Sequence, residues 1–226
     1  MKTHPPASAL ILNTDWSTWQ PTLRATLLFI IHDGKILLIR KKRGLGAGKI
    51  NGPGGKIDPG ETPVQCAVRE VEEELLITAT DPEEIGLLHF QFTDGLALLC
   101  HVFRATTFTG TPTETDEATP IWTALEAIPI EEMWEDDRYW IQHLIQAERF
   151  EGFFEFDGDI MLSHRMELIY CAALLSVAPQ RFASLARLGN GVCRNLRVAR
   201  DLSGGVRVLM GGCAYFQGRR IIHSSS

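Results

Sequence analysis

"GGKIDPGETPVQCAVREVEEELLI", residues 54–77, decides how this chain is read. A Gly/Pro-rich loop runs straight into a strongly periodic helix. Thr62 is placed to cap that helix, Pro63 suits its first position, and Gln65 completes a capping box. The pattern predicts a helix over 62–76, with Val64, Ala67, Val68, Val71 and Leu75 as its buried stripe. Glu70, Glu73 and Glu74 stand at i, i+3 and i+4, so three carboxylates share one face within about a turn. Like charges at that spacing cost a helix a few tenths of a kcal/mol per pair. A solvated acidic face is one reading. The tight loop just before it, with only Arg69 as local compensation, favours another, an oxygen-rich site for Mg²⁺.

Working outward, "ATLLFII" (25–31) and "KILLIR" (35–40) are apolar runs joined by "HDG", a hairpin signal. "IGLLHFQF" (85–92) and "LALLCHVFRA" (96–105) read as two further strands, and "DRYWIQHLIQAE" (137–148) as a second helix. Strands alternating with helices predict a mixed α/β (α+β) domain. Residues 1–23, broken by "HPP" and "WQP", are expected to form a loosely structured leader, and 24–164 the folded domain. Residues 165–226 hold nine arginines against only Glu167 and Asp201, whereas 1–164 hold 13 basic and 26 acidic side chains. That break marks 165–226 as a separate, irregular basic extension, open to three readings: a disordered appendage, a docking segment, or translated sequence that never evolved as part of the domain. Within it, "MELIYCAALLSVAP" (166–179) could form a short apolar helix.

No apolar run approaches the roughly 20 residues that span a bilayer, and the first residues lack a signal-peptide core. Five cysteines without metal-like spacing indicate free thiols and a reducing, cytoplasmic location. The basic extension carries few aromatics (Tyr170, Phe182, Tyr215 and Phe216), which argues against nucleic acid as a partner. His89 and His101 are expected to be structural, Cys66 a packed thiol, and Trp122 part of the core.

"MWEDDRYW" (133–140) sets Asp136 and Asp137 between Trp134 and Trp140. It reads as a helix start with an aspartate N-cap, or as a pocket for a flat, hydrogen-bonding ligand. Two adjacent carboxylates in a partly apolar place do not both ionise easily, and a protonated one donates where an ionised one only accepts. Such a pair can match more than one donor and acceptor pattern on a flat ligand's edge.

Gly55, Glu61 and the run Arg69-Glu70-Val71-Glu72-Glu73-Glu74 match the Nudix box, G-x5-E-x7-R-E-U-x-E-E-x-G-U with U aliphatic. The chain therefore resembles the Nudix hydrolases, Mg²⁺-dependent enzymes that cleave nucleoside diphosphates linked to another group. The resemblance implies Glu70, Glu73, Glu74 and the Gly54 carbonyl as metal ligands, Arg69 as the residue that orients them, and Glu61 as a partner of the helix. Leu76 stands where the family has the glycine that ends this helix, so strain or a different helix end is expected.

"KKRGLGAGKINGPGGK", "FQF", "TETDEATPIW", "IPIEEMWEDDRYW" and "FEGFFEFDGD" are similar to the animal oxidised-purine branch of that family, over about residues 24–164. This implies hydrolysis of 8-oxo-dGTP and 2-hydroxy-dATP to the monophosphate and pyrophosphate, with Mg²⁺ or Mn²⁺, by a monomer. Asn51, Asp136 and Asp137 would bond the base, with Glu135 beside them. Trp134 would stack on it, with Phe90 and Phe92 nearby. Thr26 and Lys41 would line the nucleotide site, and Pro53, Gly54, Gly55 and Lys56 would form the phosphate loop. Glu73 or Glu117 would take the proton from water, Glu117 also serving as a metal ligand. Leu45, Ala118 and Pro53 replace larger family side chains near the pocket. The rival readings are a Nudix hydrolase for another nucleoside diphosphate derivative and a catalytically inactive nucleotide-binding module.

Overall fold

The computed structural model describes residues 13–171, 195–200 and 206–211. The chain falls into two compact units, residues 1–168 and 169–226. The second is described through β11 (Asn195–Arg200) and β12 (Val206–Gly211), an antiparallel pair running from Asn195↔Gly211 to Arg200↔Val206.

In the first unit, β1 (Leu23–His32) turns back into β2 (Lys35–Lys41) through Asp33 and Gly34, whose φ values are 48° and 71°. Two positive φ angles give the tight turn whose twist suits a hairpin. The first helix is α1 (Pro63–Leu75). β5 (Glu83–Phe92) and β6 (Ala97–Ala105) pair antiparallel, while β6 runs parallel to β1. β9 (Arg149–Asp157) lies parallel to β5 and continues the sheet to β10 (Ile160–Cys171). The path β10-β9-β5-β6-β1-β2 ends on the short β3 (Ile50–Asn51), and β8 (Ala118–Ala124) covers the other edge of β2. β4 (Ile77–Thr80) and β7 (Thr107–Gly110) form a separate two-stranded sheet.

The unbroken apolar runs of β1 and β2 are explained by burial on both faces. Leu28, Ile30, Leu37 and Ile39 pack with Ala67, Val71 and Leu75 of α1. Phe29, Ile31, Ile36 and Leu38 pack on the opposite face with Trp140, Ile141 and Leu144 of α2 (Asp137–Ile145). The layering is helix–sheet–helix on a mixed central sheet, the α/β/α sandwich that the resemblance to the Nudix hydrolases implies.

Several expectations are corrected. Residues 13–22 are not loose: Thr22 donates to Ala97 O, Thr14 N–H reaches Glu155 Oε1 at 2.9 Å, and Trp16 and Trp19 pack on Phe153 and His89. "MELIYC" continues β10 instead of forming a helix, because the β9 edge offers it a ladder; the rest of that stretch lies outside the described residues. The basic stretch holds the ladder of β11 and β12, and β10 runs through position 165. Trp122 is 36% exposed, tilted against Phe108 on the surface.

Helix α1 starts as its sequence predicts. Thr62 accepts from Gln65 N–H, and the Gln65 side chain accepts from Thr62 N–H at 2.9 Å. Its stripe differs: Val64 is 40% exposed, and Glu74 is buried beside Leu75. The helix ends on Leu76 itself, in left-handed geometry (φ 58°, ψ 34°), with Leu76 N–H donating to Glu72 O at 3.0 Å. A Cβ in that region costs about 1–2 kcal/mol, and Leu76, at 60% exposure, recovers little by packing. Leu76→Gly is therefore expected to raise stability by about 1 kcal/mol in urea unfolding. An unchanged or lower midpoint would show that the leucine contributes contacts that offset the strain.

Candidate active site

β1 and β2 pair only where they meet, from Ile30↔Leu37 to His32↔Lys35. Toward the other end of the hairpin the two strands part, and residues 50–57 fill the fork. Asn51 and Ile50 pair with Ile39 and Arg40, after which the loop crosses to β1. There Leu28 N–H donates to Pro53 O, Thr26 N–H to Gly55 O, and Ile57 N–H to Arg24 O, at 2.9–3.0 Å. The crossing leaves no space for side chains. A Cβ on Gly54 (φ 156°) would lie 2.0 Å from Thr26 O, and one on Gly55 would lie 2.4 Å from the Glu70 carboxylate. Glycine is thus a steric requirement at position 54, where the obstacle is backbone, whereas a side chain at 55 would make the Glu70 carboxylate swing away.

The loop is tied to the acidic face of α1. Glu74 accepts from Gly54 N–H at 2.9 Å and from Lys41 Nζ at 3.0 Å, and Lys41 Nζ also reaches Gly54 O at 3.3 Å. These partners explain why a glutamate is buried where the periodicity predicted only apolar residues. Arg69 grips Glu61 with two bonds (2.9 and 3.0 Å) and extends Nη1 to Glu70 at 2.8 Å and Glu73 at 3.0 Å. Nη2 also donates to Lys56 O at 3.2 Å, clamping the loop to the helix. Arg69 holds the Glu61 carboxyl down at about 2. Burial pushes Glu70 and Glu74 above the ordinary carboxylate range despite their cationic partners.

Among the described residues no three of these side chains converge tightly enough to enclose an ion. Glu70 and Glu73 are ion-paired with Arg69, and Glu74 with Lys41. The donor set nonetheless suits a hard cation such as Mg²⁺, being carboxylate and carbonyl oxygen with no sulfur or imidazole. Glu117, expected to join the ligands, is ion-paired with Arg43.

Beside the loop lies a cavity of about 460 Å³. Thr26, Lys41, Asn51, Gly54, Gly55 and Lys56 form one side, Phe90 and Phe92 another, and Trp134, Asp136 and Asp137 a third, with Glu117 also at its wall. The two phenylalanines share a face of β5 because alternate strand residues point the same way. Two expected members stand apart. Pro53 contributes its carbonyl to β1 without lining the cavity, and Glu135 is exposed, accepting from Met161 N–H at 3.2 Å. Ala118 is likewise buried on the α1 side, away from the cavity, whereas Leu45 lines it.

Asp136 and Asp137 are both buried. The expected N-cap is corrected. Asp136 precedes α2 but has helical angles and makes no capping bond. Its Oδ2 accepts from the Trp140 indole at 2.9 Å, and Asp137 Oδ2 accepts backward from Trp134 N–H at 2.9 Å. Burial raises Asp136 to about 6, against the pull of the indole bond. Burial, with the neighbouring Asp136 charge, pushes Asp137 well above its ordinary value.

A glycine-cradled loop is thus clamped to a helix of glutamates and opens on an aromatic cavity with a buried acid pair. The NUDIX domain profile matches residues 21–144, more than half of the chain. The chain belongs to the Nudix family. This Nudix hydrolase is 42% identical over 144 residues to a Danio rerio protein named oxidized purine nucleoside triphosphate hydrolase, covering 63% of this chain and 92% of that one. It is 40% identical over 143 residues to the Mus musculus protein of the same name, covering 62% and 92%. A crystal structure of a MutT protein from Bacillus halodurans superposes with a TM-score of 0.58 at 26% identity, covering 64% of this chain and 97% of that one. Among the described residues no helix is long and apolar enough to cross a membrane.

Sequence reasoning left out several residues of the Nudix cavity. Trp140 and Phe156 line it from α2 and β9, as do Cys100 from β6 and Leu27 from β1. Only the alternation within "FEGFFEFD", which puts Phe154 and Phe156 on one face, offered a signal for any of them.

Proposed function

We propose that this enzyme hydrolyses oxidised purine nucleoside triphosphates, 8-oxo-dGTP and 2-hydroxy-dATP, to the monophosphate and pyrophosphate, clearing damaged precursors from the cytoplasmic nucleotide pool. The observation that carries the reading is the buried Asp136–Asp137 pair at a cavity wall next to the glutamate helix. The names of the 40–42% identical relatives support the same substrate class. An oxidised purine presents an altered donor and acceptor edge. A buried pair whose members both resist ionisation can donate from one carboxyl and accept at the other. Trp134 offers a stacking face for the base, an interaction of about 1–3 kcal/mol with little base preference. Asn51 bonds the base from the other side, with Phe90 and Phe92 packing around it.

The triphosphate lies along Gly54, Gly55 and Lys56, with Thr26 and Lys41 beside it. Glu70, Glu73, Glu74, Glu117 and the Gly54 carbonyl would hold Mg²⁺, or Mn²⁺, which neutralises phosphate oxygens and lowers the pKa of the attacking water. Arg69 orients the glutamates, and Lys41 offsets the buried charge of Glu74. Glu73, the most exposed of the three, takes the proton from water, with Glu117 as the second candidate base.

A nucleotide panel at one Mg²⁺ concentration tests the substrate class. Pyrophosphate release is expected to be fastest with 8-oxo-dGTP or 2-hydroxy-dATP, at least ten-fold above dGTP and dATP, given about 1–3 kcal/mol for each mismatched buried polar group. Preference for NADH, ADP-ribose or an undamaged dNTP would overturn the assignment. Absence of any turnover would favour an inactive binding module.

A further inference from the structure

Lys49 belongs to none of the roles above, yet it touches the base side of the site from behind. It stands at the end of the glycine-rich loop 42–49. Lys41 N–H donates to Lys49 O and Lys49 N–H to Gly46 O, so the loop closes on itself at this residue. Its ammonium lies 4.8 Å over the centre of the Trp134 ring and 3.3 Å from Asp159 Oδ2, in the turn between β9 and β10. Lys49 does not line the cavity, whereas Trp134 does. The ammonium thus covers the outer face of the indole and leaves the inner face to the cavity. Gly46 closes the same side: a Cβ there would lie 2.9 Å from Trp134 Nε1. Phe156 braces the ring edge-on at 6.0 Å.

The geometry points to Lys49 as a positioning and specificity-determining residue: its ammonium fixes the Trp134 platform. This rests on the proposed reading of Trp134 as the stacking face for the base. A cation over the electron-rich face of an indole is attracted by the ring quadrupole, and Asp159 keeps the flexible lysine in place. Trp134 N–H donates to Asp137 at 2.9 Å, so what holds this residue also holds the carboxyl beside the base edge.

The test uses the full chain with Lys49→Met, which keeps the apolar stem and removes the charge, and Lys49→Arg, which keeps the charge. The first readout needs no substrate: the NMR indole N–H resonance of Trp134. In Lys49→Met it is expected to broaden, as the freed ring exchanges between orientations, and in Lys49→Arg to sharpen to the wild-type line. The second readout is kinetic: the KM for 8-oxo-dGTP is expected to rise about five-fold in Lys49→Met, with kcat within two-fold of wild type, and to recover in Lys49→Arg. An unbroadened resonance and an unchanged KM in Lys49→Met would overturn the inference, as would failure of arginine to restore both. If the resonance broadens while no oxidised purine is hydrolysed by the wild type, the positioning role stands and the substrate assignment fails.

Discussion

Glu73→Gln is expected to lower kcat toward 8-oxo-dGTP by about a thousand-fold or more while leaving the protein folded, within the range that a general base supplies. Glu73 is the exposed member of the acidic face, with 53% of its side chain open to solvent, and its one tie is an i,i+4 pair with Arg69. Such surface pairs stabilise by well under 1 kcal/mol, so the amide costs almost nothing in folding. Glu74→Gln gives the contrast. Its carboxylate is buried, accepts from Gly54 N–H, and neutralises Lys41. Removing that charge leaves a largely buried ammonium without its partner and is expected to cost about 3 kcal/mol of stability as well as activity. Steady-state kinetics in excess Mg²⁺, beside urea unfolding of both variants, separates the two roles. Near-normal turnover by Glu73→Gln would remove it from the chemistry and leave Glu117 as the base.

The second large effect concerns the acid pair. Asp136→Asn and Asp137→Asn are each expected to change the ratio of 8-oxo-dGTP to 2-hydroxy-dATP hydrolysis by ten-fold or more, about 1.4 kcal/mol, because each alters what a buried carboxyl can donate or accept. The pair should also leave a mark on stability. A carboxyl whose pKa is raised on folding binds more protons in the native than in the unfolded state. Its contribution is therefore greatest at low pH and falls as pH rises from about 4, the unfolded value, through about 6 for Asp136 and beyond for Asp137. Carboxylates in ion pairs give the opposite slope, as Glu61 does on Arg69. Each asparagine variant should flatten the decline between about pH 4 and pH 6 relative to wild type. If both keep the wild-type substrate ratio and the wild-type pH dependence, the pair serves only to anchor α2.

How much of the site could be read in advance follows from the range of the forces involved. The capping box, the turn at Asp33-Gly34 and the acidic face of α1 depend on residues within about four positions of one another, and all were legible. The helix end at Leu76 was legible as a conflict, and the fold resolves it by accepting a left-handed leucine. The reading of an aspartate N-cap for α2 failed for the converse reason. Two tertiary donors, the Trp140 indole for Asp136 and the Trp134 amide for Asp137, outbid the local capping geometry. Strands β8, β9 and β10 were missed because their pattern is set by neighbours: β2, β5 and β9 supply the ladders on which they form. Lys49 carried no local signal, since its two partners, Trp134 and Asp159, are distant in sequence and lie on separate segments.

By itself the sequence determined the chemistry available: a glycine-rich loop, three glutamates on one helical face, and two aspartates between tryptophans. Only the tertiary structure decided which of those acids are buried and what charge they keep. The fork between β1 and β2 draws residues 50–57 against α1 and sinks Glu74 beneath Lys41. The packing of α2 on the sheet strips water from Asp136 and Asp137. Desolvation depends on everything that surrounds a group, and no spacing along the chain encodes it.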